Sequence, residues 1–118
     1  MTDHVVLDDA IIAEMRDMLG DDAFRGFVLR MLAEVVDLHP ILTSILAARD
    51  HELLARTSHK TAGSAVSVGA KGIHALLKQI EDVARQPAQQ SQLPGLVALL
   101  PIRVADTRSA LEKVIGPL

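Results

Sequence analysis

RTSHKTAGSAVSVGAKGIHALLKQIE, residues 56–81, is the stretch on which the reading of this chain turns. At about 100° per residue, Leu54, Thr61, Ala65 and Val68 gather on one helical face, which is the pattern of a buried side. His59 lies roughly 160° from Thr61 on the same count and so points toward solvent. One turn along, at i+3 and i+4, stand Ala62 and Gly63, so nothing bulky screens the imidazole there. Gly63 and Gly69 each cost a helix about 1 kcal/mol relative to Ala. Keeping both suggests that close approach matters more here than local stability.

Outward from this stretch the chain reads as helices. Asp8 and Asp9 can cap a first short helix with Ile11, Met15 and Met18 on one side and Gly20 as its stop. Asp21 and Asp22 offer a cap for a long second helix, along which Phe24, Val28, Met31, Val35, Leu38, Leu42 and Ile45 form a seam. Pro40 falls inside that seam, where a missing donor and a ring clash predict a bend or a restart. Asp50 is a cap for the third helix, which carries His59 and ends or bends at Gly69. A fourth helix over 70–85 turns Ile73, Leu76, Leu77, Ile80 and Val83 inward. QPAQQSQLPG, 86–95, is polar and bracketed by prolines, and reads as a loop. A last helix over 96–115 has Pro101 near its start and ends at Gly116 and Pro117. The expected fold is all-α: an up-and-down antiparallel four-helix bundle with a short additional N-terminal helix, one domain over 1–118. Met1 and the stop at Gly116 fit a complete protein.

Composition narrows the function. The chain is 49% hydrophobic but 2% aromatic, with no Trp or Tyr, so it lacks stacking platforms for bases. Its net charge of -3 provides no general basic surface for a phosphate backbone. Nucleic acid is therefore not an expected partner. No cysteine is present, which fits a reducing cytosol and removes thiolate metal sites. No apolar run approaches the roughly 20 residues that span a bilayer, and no signal-like segment opens the chain, so the expected location is cytoplasmic with no membrane partner. His4, His39, His51, His59 and His74 contain no i,i+3 or i,i+4 pair, which argues against a metal site. There is no glycine-rich nucleotide-binding stretch, so the chain is not expected to phosphorylate itself from ATP.

The spaced set His59, Gly63, Ser64, Ala65, Val68, Gly69, Ala70, Ile73, Ile80 and Glu81 resembles the signature of histidine-containing phosphotransfer (HPt) domains. The resemblance implies a phosphocarrier without autokinase activity: His59 accepts a phosphoryl group from a receiver-domain aspartate and passes it to another receiver. It also implies that no cofactor belongs to this chain, with Mg²⁺ held by the partner receiver. One departure is plain. HPt domains usually carry a lysine three residues after the histidine, and that position here is Ala62.

An unperturbed imidazole titrates near ~6.5, so a neutral nucleophilic nitrogen is available at physiological pH. Arg56, one turn before His59, is the expected cation for the phosphoryl oxygens in place of the lysine. Arg56, Lys60, Ser67 and Lys71 form the expected basic rim toward a receiver, with Ala62 and Gly63 as its cleared centre. Ser64 is expected to pack or back-bond, and Glu81 to make a solvated or capping interaction. Two other readings stand beside this one. A helical adaptor of the same fold could dock receivers without carrying phosphate. A histidine-kinase dimerisation module would place an acidic residue directly after the histidine, where this chain has Lys60. A monomer in solution is the expectation for the phosphotransfer reading.

Overall fold

The first and third helices begin where the sequence supplies a capping aspartate. In the computed structural model, which describes residues 5–118, Asp8 accepts a hydrogen bond from the Ile11 amide at 3.1 Å and starts α1 (Asp9–Leu19). Gly20, with φ 83°, ends it, and α2 (Asp21–Ala47) follows at once with Asp21 and Asp22 in its first turn. Contrary to expectation neither aspartate caps α2, because Gly20 holds the N-cap place without a side chain and Asp21 pairs with Arg16 at 2.8 Å; both still favour the positive end of the helix dipole. Asp50 caps α3 (His51–Ser67) by accepting from the Leu53 amide at 3.0 Å. After the turn 68–70 come α4 (Lys71–Ala84), a 3-10 helix (Pro87–Gln92), α5 (Leu93–Ala98) and α6 (Leu100–Ile115). Among the described residues there is no strand, and no helix is long and apolar enough to cross a membrane. His4 lies outside the described residues.

The expected seams meet in one core. Phe24, Val28, Val35 and Leu42 of α2 pack with Leu54 of α3, Ile73, Leu77 and Ile80 of α4, Leu93 of α5, and Leu100 and Leu111 of α6, all fully buried. The α3 contribution is mostly small: Ala55, Ser58, Ala62 and Ala65 are buried beside Leu54 and Thr61. Small side chains let helix axes approach closely, and α3 makes its most extensive contact with α4. α2 also packs on α3 and α6, and α4 on α6.

Four further local expectations change. The segment 86–95 is not a loop, because Pro87 and Pro94 sit in first turns where no amide hydrogen is missed, and Leu93 is buried. The Gln90 side-chain amide also ties this segment to the Ala84 carbonyl at 3.0 Å. The last helix is divided at Leu99 into α5 and α6, since Pro101 cannot donate to the carbonyl one turn earlier. α2 runs through Pro40 without restarting; the carbonyl deprived of its partner belongs to Val36, which is 56% exposed. Of the side expected from Ile11, Met15 and Met18, Met18 is 76% exposed, and Ile12 takes the buried place on α1.

α1 is seated on the turn between α3 and α4. The Asp8 amide donates to the Gly69 carbonyl at 2.8 Å, and the Gly72 amide to the Val6 carbonyl at 3.0 Å. Gly69 has φ 79°, and a Cβ there would stand 2.7 Å from Ile12 Cγ1 and 3.1 Å from the Asp8 carbonyl oxygen. Gly69→Ala thus combines left-handed strain with a clash against backbone, and is expected to cost about 1–3 kcal/mol. Urea unfolding measures it, and a loss below about 0.5 kcal/mol would contradict this account of the turn.

Candidate functional site

His59 and Glu81 form the centre of the site, and the two helices deliver them by different rules. On α3, the periodicity that buries Leu54, Ser58, Thr61, Ala62 and Ala65 leaves His59 on the outer flank, its side chain 66% exposed. On α4, Ile73, Leu76, Leu77, Ile80 and Ala84 define the buried stripe, and Glu81 falls on that same stripe with only 4% exposure. Glu81 is therefore not the solvated or capping residue expected from the sequence. Its Oε1 lies 3.1 Å from His59 Nδ1.

A buried carboxylate must be compensated, because leaving it unpaired costs several kcal/mol. Here α4 and its C-cap residue supply the cations. Lys78, one turn before Glu81, donates to Oε1 at 2.7 Å, and Arg85, one turn after, donates to Oε2 at 2.8 Å. Burial pushes the Glu81 carboxyl up, but hydrogen bonds from Lys78, His59 and Arg85, with the charge on the imidazole, outweigh burial and hold it at about 2. Near neutral pH the carboxylate can only accept, so in the neutral imidazole the hydrogen sits on Nδ1. The lone pair is then left on Nε2, which has no hydrogen bond to any described residue. The arrangement presents a nucleophilic nitrogen on an exposed ring, with its tautomer fixed from beneath.

Around this centre the expected site residues separate into two groups. Arg56 lines the same cleft as His59, Glu81 and Arg85, and Gly63 is exposed with nothing within 4 Å of a built Cβ. These residues the fold does bring to the imidazole. Ala62 is 2% exposed and belongs to the core, so it is not part of an open approach; the clearance is provided by Gly63. Lys60 is exposed but lines no wall of the cleft. Ser67 donates its hydroxyl to the Gly63 carbonyl at 2.8 Å and lines a different groove with Phe27, Arg30 and Glu34. Lys71, at the start of α4, stands roughly 15 Å along the helix axis from Glu81. The basic rim expected from Arg56 to Lys71 is thus not continuous around His59.

Sequence reasoning missed Lys78 and Arg85, and misread Glu81. The signal was available: an acidic residue on an apolar stripe, flanked at i−3 and i+4 by cations, is the pattern of a buried carboxylate with its own counter-ions. What the sequence did not contain was the pairing of that stripe with the His59 flank of α3.

A family model described as the Hpt domain matches residues 27–113, well over half of the chain. No curated protein and no solved structure matches it.

The depressed Glu81 carboxyl has a consequence for stability. An unfolded glutamate titrates near 4.5 and the folded one near 2, so the stabilisation is complete above about pH 4.5 and is lost as pH falls through about 2. Screening of the half-exposed Lys78 and Arg85 limits it to about 1–3 kcal/mol. Urea titrations between pH 5 and pH 2 should therefore show a shallower loss for Glu81→Gln than for wild type, and parallel curves would refute the pairing.

Proposed function

The chain belongs to the Hpt domain family, the phosphotransfer histidine modules of two-component signalling, and from that premise we propose that it is a phosphorelay protein carrying its phosphoryl group on His59 Nε2. The observation that supports this most directly is the His59 Nδ1 to Glu81 contact at 3.1 Å, which leaves the outer nitrogen as the nucleophile. In this reading His59 attacks the phosphorus of a receiver's aspartyl phosphate. The new Nε2–P bond forms as the P–O bond breaks, and its electron pair leaves with the receiver carboxylate. Positive charge develops on the ring and is shared with Nδ1–H, where Glu81 stabilises it. A carboxylate held near 2 is a weak base, so the proton stays on the ring and Nε2 remains a good leaving group. Onward transfer to a second receiver is the same step reversed.

The chain's own part is to hold, orient and expose that nitrogen. A divalent cation and the acidic groups that bind it would belong to the receiver. Arg56 and Arg85 border the cleft beside His59 and are the cations proposed for the phosphoryl oxygens where Ala62 replaces the usual lysine. The fold this requires is an up-and-down bundle of α2, α3, α4 and α6. The short links after α2 and α3, and the closed ring of contacts among the four helices, support it. A cytoplasmic monomer that docks receivers one at a time completes the proposal. The adaptor reading, docking without transfer, draws on the missing lysine at Ala62.

Two variants test it. Receivers charged by a small phosphodonor should label wild type but not His59→Gln; receiver binding without any label would transfer the assignment to the adaptor. A Cβ at Gly63 meets nothing within 4 Å, and removing a helical glycine is worth about 0.5–1 kcal/mol, so Gly63→Leu should be at least as stable as wild type and yet transfer at least ~10-fold more slowly. Transfer at the wild-type rate would remove Gly63 from the docking surface.

A further inference from the structure

The cations that border His59 are not free in the unmodified protein. Glu52, in the first turn of α3, holds both: its Oε1 lies 3.5 Å from Arg85 Nη2 and 3.9 Å from Arg56 Nε. Arg85 is consequently forked. One arm, Nη1, is fixed on the buried Glu81 at 2.8 Å, while the other reaches across to the 61%-exposed Glu52. Pairing with Glu52 and with Glu81 raises the Arg85 guanidinium above its ordinary value against the opposing desolvation. The two contacts differ in kind. The Glu81 arm orients the His59 carboxylate, whereas the Glu52 arm is a surface pair of small net worth that another anion can displace.

From this geometry we infer that Glu52 is a positioning residue that competes with the phosphoryl group for Arg56 and Arg85, and so shortens the life of phosphorylated His59. The inference rests on His59 being the phosphoryl carrier. Before phosphorylation Glu52 is shared between the two guanidiniums at the mouth of the cleft. Once Nε2 carries a dianionic phosphoryl group, the guanidiniums must leave Glu52 to reach its oxygens. Arg85 can make this exchange without releasing Glu81, because it replaces the acceptor at Nη2 and leaves Nη1 on Glu81. A carrier is served by a phosphoryl group that leaves readily, and Glu52 supplies that bias without touching the reacting atoms.

The test uses phosphoramidate as donor to the whole chain, with no receiver present. The phosphoryl group passes to Nε2 as ammonia leaves, and decay is then followed by ³¹P NMR after the donor is removed. In the decay, water oxygen bonds to phosphorus, the P–Nε2 bond breaks with its electron pair returning to Nε2, and the water protons go to phosphate and solvent. Glu52→Gln should lengthen the half-life by about two- to five-fold, the range set by exchange of one or two exposed ion pairs. In an Arg56→Ala/Arg85→Ala background the same substitution should change the half-life little, an outcome that general repulsion or altered stability would not produce. An unchanged or shorter half-life in Glu52→Gln, or an equal lengthening without the two arginines, overturns the inference while leaving His59 as carrier. Failure of folded wild type to take label on His59 overturns the carrier reading, and this inference with it.

Discussion

A carboxylate taken out of water has to be neutralised by donors it can reach, and Glu81 is the residue on which that constraint falls. Burial alone would drive the carboxyl to its neutral form. Lys78 from its own helix, Arg85 at that helix's C-cap and His59 from the neighbouring helix keep it ionised instead. The consequences extend both ways. Glu81 can remain charged beneath the imidazole only because α4 carries its own counter-ions, and His59 has a defined tautomer only because Glu81 is charged. Replacing Lys78 or Arg85 would therefore be felt at Nδ1 of a residue on another helix.

The contact between those helices depends on size. Ala55, Ser58, Ala62 and Ala65 bring the α3 backbone close to α4, where Gly72 and Ala84 are also buried. The turn between them is tight because Gly69 adopts a positive φ and offers its carbonyl to Asp8. α1 thus covers one end of the α3–α4 pair, and the His59 flank of the same pair is left open. Ala62 has its physical explanation here: a lysine at this position would begin from a core-facing Cβ and would have to run its stem outward to reach solvent. The positive charge near His59 comes instead from Arg56 on α3, Lys78 on α4 and Arg85 at the α4 C-cap.

Much of the fold was legible because amphipathic periodicity and caps are local properties. The seam from Phe24 to Leu42, the cap at Asp50 and the stop at Gly69 all appear where the sequence places them. The misreadings share a cause. Segment 86–95 looks polar, but Leu93 is drawn into the core and the prolines suit first turns. Met18 has apolar chemistry, yet α1 buries only the side that meets its neighbours. Whether a helical face is covered depends on what lies across from it, which no local pattern states.

The candidate site divides along the same line. The sequence by itself determined that the chain is helical, that His59 stands on the outer flank of α3, and that Ala62 occupies the place of a lysine. The first two follow from residue identity and a 100° step, the third from the resemblance to HPt domains. The tertiary structure alone decided that Glu81 meets His59, that Arg85 bridges Glu81 and Glu52, and that Ser67 and Lys71 fall outside the cleft. Such facts depend on the offset and rotation of α3 against α4. That arrangement is set by the packing of buried Ala, Leu and Ile side chains across the interface, and not by any residue of the site.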